Sequence, residues 1–173
     1  MKKHYAKLVC SIFSKKKTWI FQAIDALCHD FGPLEWQSLF MSFHWTDYYE
    51  KEFGKGLKRC FIGFLKPVEE NFLKQAKKHS EYIEDMMRVE GKRLVNIDPG
   101  ILVLERLVLA THKNNVHRIY MGENIFLDLT LIYTGSTFRA LPWTFPDYSS
   151  PELIQMWNHI RQTLLRTPLC QEA

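Results

Sequence analysis

The chain has 173 residues, 46% of them apolar and 24% charged, the proportions of a globular domain rather than of a disordered, fibrous or multidomain chain. Twenty-three Lys and Arg against nineteen Asp and Glu leave a formal charge of +4, which favours contact with an anion but falls far short of a nucleic-acid coat. No run approaches the ~18 apolar residues of a membrane span, and Lys15, Lys16 and Lys17 cut the apolar run Leu8 to Phe13 too short for a secretory signal. The expected setting is therefore the cytoplasm, with no membrane partner.

Lys7 to Ser14 is short, apolar and β-branched at its centre, which predicts a buried strand, and Ser14 to Thr18 supplies the polar start of a helix. Apolar residues recur with helical spacing at Ile20, Ala23, Ile24, Leu27 and Phe31, until Gly32-Pro33 stops them. Leu34 to Trp45 and Cys60 to Leu65 read as two strands joined by a structured loop, Thr46 to Lys58. A second helix is expected from Pro67, with Val68, Phe72, Leu73, Ala76, Ile83, Met86 and Met87 on its apolar face, ending before Gly91. Leu94 to Ile97 is then a strand that breaks at Asp98-Pro99-Gly100, where Pro sets φ and Gly permits a reversal. The order β-α-β-β-α-β is that of the split βαβ, ferredoxin-like arrangement.

Ile101 to Ala110 reads as a helix, with a strand as the alternative. Val116 to Met121 and Ile125 to Tyr133 form a hairpin around Gly122-Glu123-Asn124, with Asn124 left-handed. This register sets Arg118 opposite Asp128 and Tyr120 opposite Phe126. After a turn at Thr134-Gly135-Ser136 comes a strand, Thr137 to Trp143. Ser150 then caps a helix with Pro151 at its first position and Leu153, Ile154, Trp157, Ile160, Leu164 and Leu165 on its apolar face. The expectation is one α+β domain over residues 1–173, a ferredoxin-like core at 1–97 extended over 98–173 by a C-terminal hairpin, strand and helix.

Four widely spaced cysteines, Cys10, Cys28, Cys60 and Cys170, form neither a C-x-x-C pair nor a zinc-finger pattern and read as reduced, mostly buried thiols. Asn96-Ile97-Asp98-Pro99-Gly100, Leu107 to Thr111, His117-Arg118-Ile119-Tyr120, Leu141 to Tyr148, and Thr46-Asp47-Tyr48-Tyr49 followed by Gly54 make five ordered motifs. Together they resemble an uncharacterised prokaryotic family, the domain of unknown function numbered 4416, whose members are often labelled GTP-binding. The resemblance brings that label but no established activity and no catalytic residues with it.

A P-loop, whose glycine amides wrap phosphates beside a Lys, is absent: Gly54-Lys55 runs into Gly56 and Gly91-Lys92 into Arg93. The polar residues that remain cluster in the second half. His117, Asp128 and Asp98 are the candidate catalytic residues, because a carboxylate pair with a histidine can hold a divalent metal or move a proton. His112, Lys113, Arg118, Asp147 and Tyr148 are the candidate ligand-binding residues. Each has a plainer structural reading: Asp98-Pro99-Gly100 as a turn, Arg118 with Asp128 as a cross-strand ion pair, and Thr46 to Tyr49 as a capped turn. The expected function is binding of a small anionic ligand or nucleotide, with hydrolysis as its catalytic extension. The alternative is an RNA-binding or protein-interaction module using aromatic and basic surface, for which Phe61-Ile62-Gly63-Phe64 is a faint echo of the usual aromatic-glycine strand.

Overall fold

The structure, a computed structural model, describes residues 4–44 and 46–166. In chain order the elements are β1 (Tyr5–Ser14), α1 (Lys17–Phe31), β2 (Leu34–Gln37), β3 (Met41–Phe43), the single-turn α2 (Glu50–Phe53), β4 (Leu57–Phe64) and β5 (Val68–Glu69). A 3₁₀ turn (Glu70–Phe72) leads into α3 (Leu73–Met86), followed by β6 (Arg88–Val89), β7 (Lys92–Arg93), β8 (Asn96–Leu102) and β9 (Arg106–Thr111). β10 (Arg118–Tyr120), β11 (Phe126–Thr134), β12 (Thr137–Ala140) and α4 (Pro151–Leu165) complete the described chain. The fold class is α+β, with antiparallel ladders and four α-helices among the described residues. No helix among them is long and apolar enough to cross a membrane.

Contacts gather the chain into two units, and β1 and β8 run through both. The first holds residues 4–8, 67–74 and 100–166, with strand order β10-β11-β9-β8 and β12 on β11. Its apolar centre joins Ala6, Leu73, Ile101, Val103, Val108, Ala110 and Ile125. Ser150 accepts the Leu153 amide, Pro151 opens α4, and Leu153, Trp157, Ile160 and Leu164 are buried along one stripe of that helix. Asn158 fastens α4 to β12, accepting from Phe138 N at 2.9 Å and donating to Thr137 Oγ1 at 2.7 Å.

The second unit holds residues 9–66 and 75–99, with strand order β8-β1-β4-β2 and β3 on β4. β1 is buried on both faces, which explains why its sequence is an unbroken apolar run rather than an alternating one. α1 buries Ile20, Ala23, Ile24 and Leu27 and ends at Gly32. Trp36 pairs with Gly63 across the β2–β4 ladder, and a Cβ on Gly63 would lie 2.2 Å from Trp36 Nε1 and 2.4 Å from Trp36 Cε2. The indole thus occupies the space of the missing side chain, and the aromatic-glycine strand serves packing. Gly63→Val is expected to eject Trp36 and to lower stability by about 1–3 kcal/mol. Denaturation followed by tryptophan fluorescence checks this; an unchanged midpoint and unchanged emission would contradict it.

Several expectations need correction. Asp98-Pro99-Gly100 is no turn: β8 runs straight through it, since the φ of Pro suits extended backbone and the ladder to β9 starts only at Gly100. Ile101 to Ala110 is no helix but the end of β8, a tight turn closed by Val103 N to Arg106 O at 3.0 Å, and β9. Strands buried on both faces produce the same continuous apolar run as a buried helix. The helix expected from Pro67 starts at Leu73, because Val68 and Glu69 pair with Ala6 and Tyr5 instead. Leu34 to Trp45 divides into β2 and β3, with Trp45 outside the described residues, and the strand from Thr137 stops at Ala140. The loop Thr46 to Lys58 contains α2 and the start of β4.

Candidate functional site

The hairpin of the first unit has the expected register, Arg118 opposite Asp128, Ile119 opposite Leu127 and Tyr120 opposite Phe126. Its loop closes with both Glu123 and Asn124 at positive φ, 53° and 57°. On the other side of β11, the pairing to β9 slips between Leu129 and Leu131, so Thr130 is an extra, bulged residue. The bulge brings Thr130 Oγ1 to 3.2 Å from Asp128 Oδ1. Asp128 Oδ2 accepts from Arg118 Nε at 2.7 Å and lies 3.2 Å from His117 Nε2. These three side chains are 5%, 7% and 5% exposed for Asp128, Arg118 and His117, so the carboxylate is desolvated and held by charge-assisted bonds.

Two outer groups fix the histidine and the arginine. The His117 ring stacks on Trp143, with centroids 4.8 Å apart and planes 12° from parallel, and Trp143 Nε1 donates to Leu129 O at 2.8 Å. Thr144 stops β12 from continuing, accepting from Leu141 N at 2.8 Å and donating to Thr130 O at 2.5 Å. Arg118 Nη1 donates to Lys113 O at 2.7 Å, and His112 Nδ1 lies 2.6 Å from Asn124 O on the exposed side. Thr130, Trp143 and Thr144 were not among the expected site residues. Asp147 and Tyr148 are buried where the chain enters α4: Asp147 Oδ1 accepts from Tyr148 N at 3.0 Å, and the Tyr148 ring is parallel to Trp157.

Asp98 belongs to the second unit and has other neighbours. There Arg93 grips Glu52 with two parallel bonds, Nε to Oε1 and Nη2 to Oε2, both 2.8 Å. Arg93 Nη1 also donates to Glu84 Oε2 at 2.9 Å and to Asn96 Oδ1 at 3.0 Å, while Asn96 Nδ2 donates to Asp98 Oδ2 at 2.7 Å. Hydrogen bonds from Arg93 hold the Glu52 carboxyl below the usual carboxylate range, whereas burial pushes Glu84 above it. Burial likewise pushes the Cys60 thiol up to about 12, which leaves it inert. Cys10, Cys28 and Cys60 are free thiols, and Cys170 lies outside the described residues. Among the described residues, no group of three or more His, Cys, Asp or Glu is placed to hold a metal ion.

The profile of one known family, described as a domain of unknown function (DUF4416), matches residues 4–164. The chain belongs to that family. No curated protein and no solved structure matches it. Three of the five sequence motifs contribute to the two clusters. His117 and Arg118 come from one motif and Trp143 and Thr144 from another, both serving Asp128 in the first unit. Asn96 and Asp98 come from a third, in the second unit.

Proposed function

We propose that the chain binds a small anionic ligand, a nucleotide phosphate included, at the His117–Arg118–Asp128 cluster of the first unit. One observation carries this reading: Arg118 and His117, whose side chains are buried beside Asp128, each keep a nitrogen without a partner among the described residues. Arg118 engages Asp128 through Nε and Lys113 O through Nη1, leaving Nη2; His117 engages Asp128 through Nε2, leaving Nδ1. Arg118 Nη2 and an N–H at His117 Nδ1 are donors for a phosphate or carboxylate oxygen, the exposed neighbour Lys113 adds positive potential, and His112 lies beside it. Hydrolysis is the catalytic extension: Asp128 and Trp143 fix the imidazole, Nδ1–H gives its proton to the leaving-group oxygen as water adds at phosphorus and the bond to that oxygen breaks, and the proton of the added water then restores Nδ1–H.

Taking β1, β2, β4 and β8 as first to fourth strand, the order β8-β1-β4-β2 reads as fourth, first, third, second, and this supports a ferredoxin-like assignment for the second unit within one cytoplasmic domain. A thermal-shift screen with inorganic phosphate, pyrophosphate and nucleotides, with and without magnesium, tests the function. A ligand at a hundredfold over its dissociation constant is expected to add about 2.7 kcal/mol of stability. His117→Gln, which keeps a donor for Asp128 but loses the imidazole, is expected to weaken that ligand. No response to any anionic probe would refute the reading.

A further inference from the structure

The polar cluster of the second unit has a different charge balance. Glu52, Glu81, Glu84 and Asp98 gather around Lys77 and Arg93, and Arg93 is fully engaged by Glu52, Glu84 and Asn96. Lys77 is not so engaged. Its side chain is 8% exposed, its ammonium stands 3.9 Å from Asp98 Oδ1 and 3.9 Å from Glu81 Oε1, and it donates no hydrogen bond to a described residue. Its three N–H donors are open to further acceptors. Asp98 has the matching arrangement: Oδ2 accepts from Asn96 Nδ2 at 2.7 Å, while Oδ1 has Lys77 only at that longer separation. Asp98 is also the open side of the pair, with 29% of its side chain exposed.

A polar pair separated by more than 3.5 Å is the spacing that a third polar atom bridges. The bridging atom must accept from the ammonium and donate to the carboxylate. A hydroxyl oxygen does both; a phosphate or carboxylate oxygen only accepts, and would face Glu81 and Asp98 as like charges. We infer that Lys77 and Asp98 form a binding site for a hydroxyl of a neutral polyhydroxylated ligand, such as a monosaccharide or the ribose of a nucleoside. Lys77 lies on α3 and Asp98 on β8, so the site rests on regular elements rather than on a loop.

Saturation-transfer NMR on the intact protein, with D-glucose, D-ribose, adenosine and guanosine as separate probes, tests this site. Saturation transfer to ring or ribose protons is expected from at least one probe class, with at least tenfold weaker binding in Asp98→Asn and in Lys77→Gln and unchanged binding in His117→Gln. Transfer from the monosaccharides assigns a saccharide site, and transfer from the nucleosides alone assigns a ribose site. Inorganic phosphate is expected not to displace the bound probe, which separates this site from the anion site of the first unit. No transfer from any probe would mean that water alone bridges the pair and would overturn the inference. Binding that survives both Asp98→Asn and Lys77→Gln would overturn it equally.

Discussion

Asp128→Asn is expected to lower the free energy of unfolding by about 3–5 kcal/mol, measured by chemical denaturation with no ligand present. The amide cannot balance Arg118, whose guanidinium is buried with it, and His117 loses the anion beside Nε2. Removing one partner of a buried pair costs far more than the pair contributes, because the remaining charge stays desolvated. At roughly 2–4 °C per kcal/mol for a chain of this size, the melting temperature should fall by about 6–20 °C. Asp128→Asn combined with Arg118→Met should recover part of the loss, since no buried charge is then left alone. A loss below about 1 kcal/mol would place the pair with exposed ion pairs.

Arg93→Met is expected to cost a similar amount, about 3–5 kcal/mol, for the same reason. It strips Glu84, which is buried, and releases Glu52 on α2 and Asn96 on β8 at once. The pH dependence separates this role from simple packing. Glu52 has its carboxyl held down chiefly by the Arg93 hydrogen bonds, so its contribution is present above the ordinary carboxylate value and is lost as pH falls through its depressed value. In Arg93→Met that acid-side loss should disappear, and the stability profile below the usual carboxylate range should flatten. An unchanged acid limb would contradict the assignment.

What could be read from the chain depended on whether the signal was local. The hairpin register follows from a short loop with Asn124 at positive φ between two short segments, so Arg118 opposite Asp128 is legible in the sequence. α1 and α4 were legible because one face of each is buried and each has a stop or a cap beside it. β8 and β9 were not, because strands buried on both faces lose the alternation that distinguishes them from a buried helix. The support around Asp128 was also hidden: Thr130 reaches it only because β11 bulges against β9, and Trp143 reaches His117 only because Thr144 turns the chain after β12. Lys77 and Asp98 meet across α3 and β8, a tertiary contact that spacing alone does not encode.

Nitrogen-resolved NMR of the His117 imidazole during titration of the intact protein with pyrophosphate reports on the anion site at the atom that carries it. Binding at this cluster predicts that the Nδ1 resonance moves to a saturable end point while Nε2 keeps its hydrogen bond to Asp128. An Nδ1 resonance that stays fixed while pyrophosphate raises the melting temperature would place the ligand elsewhere and leave His117, Arg118 and Asp128 as a structural clasp.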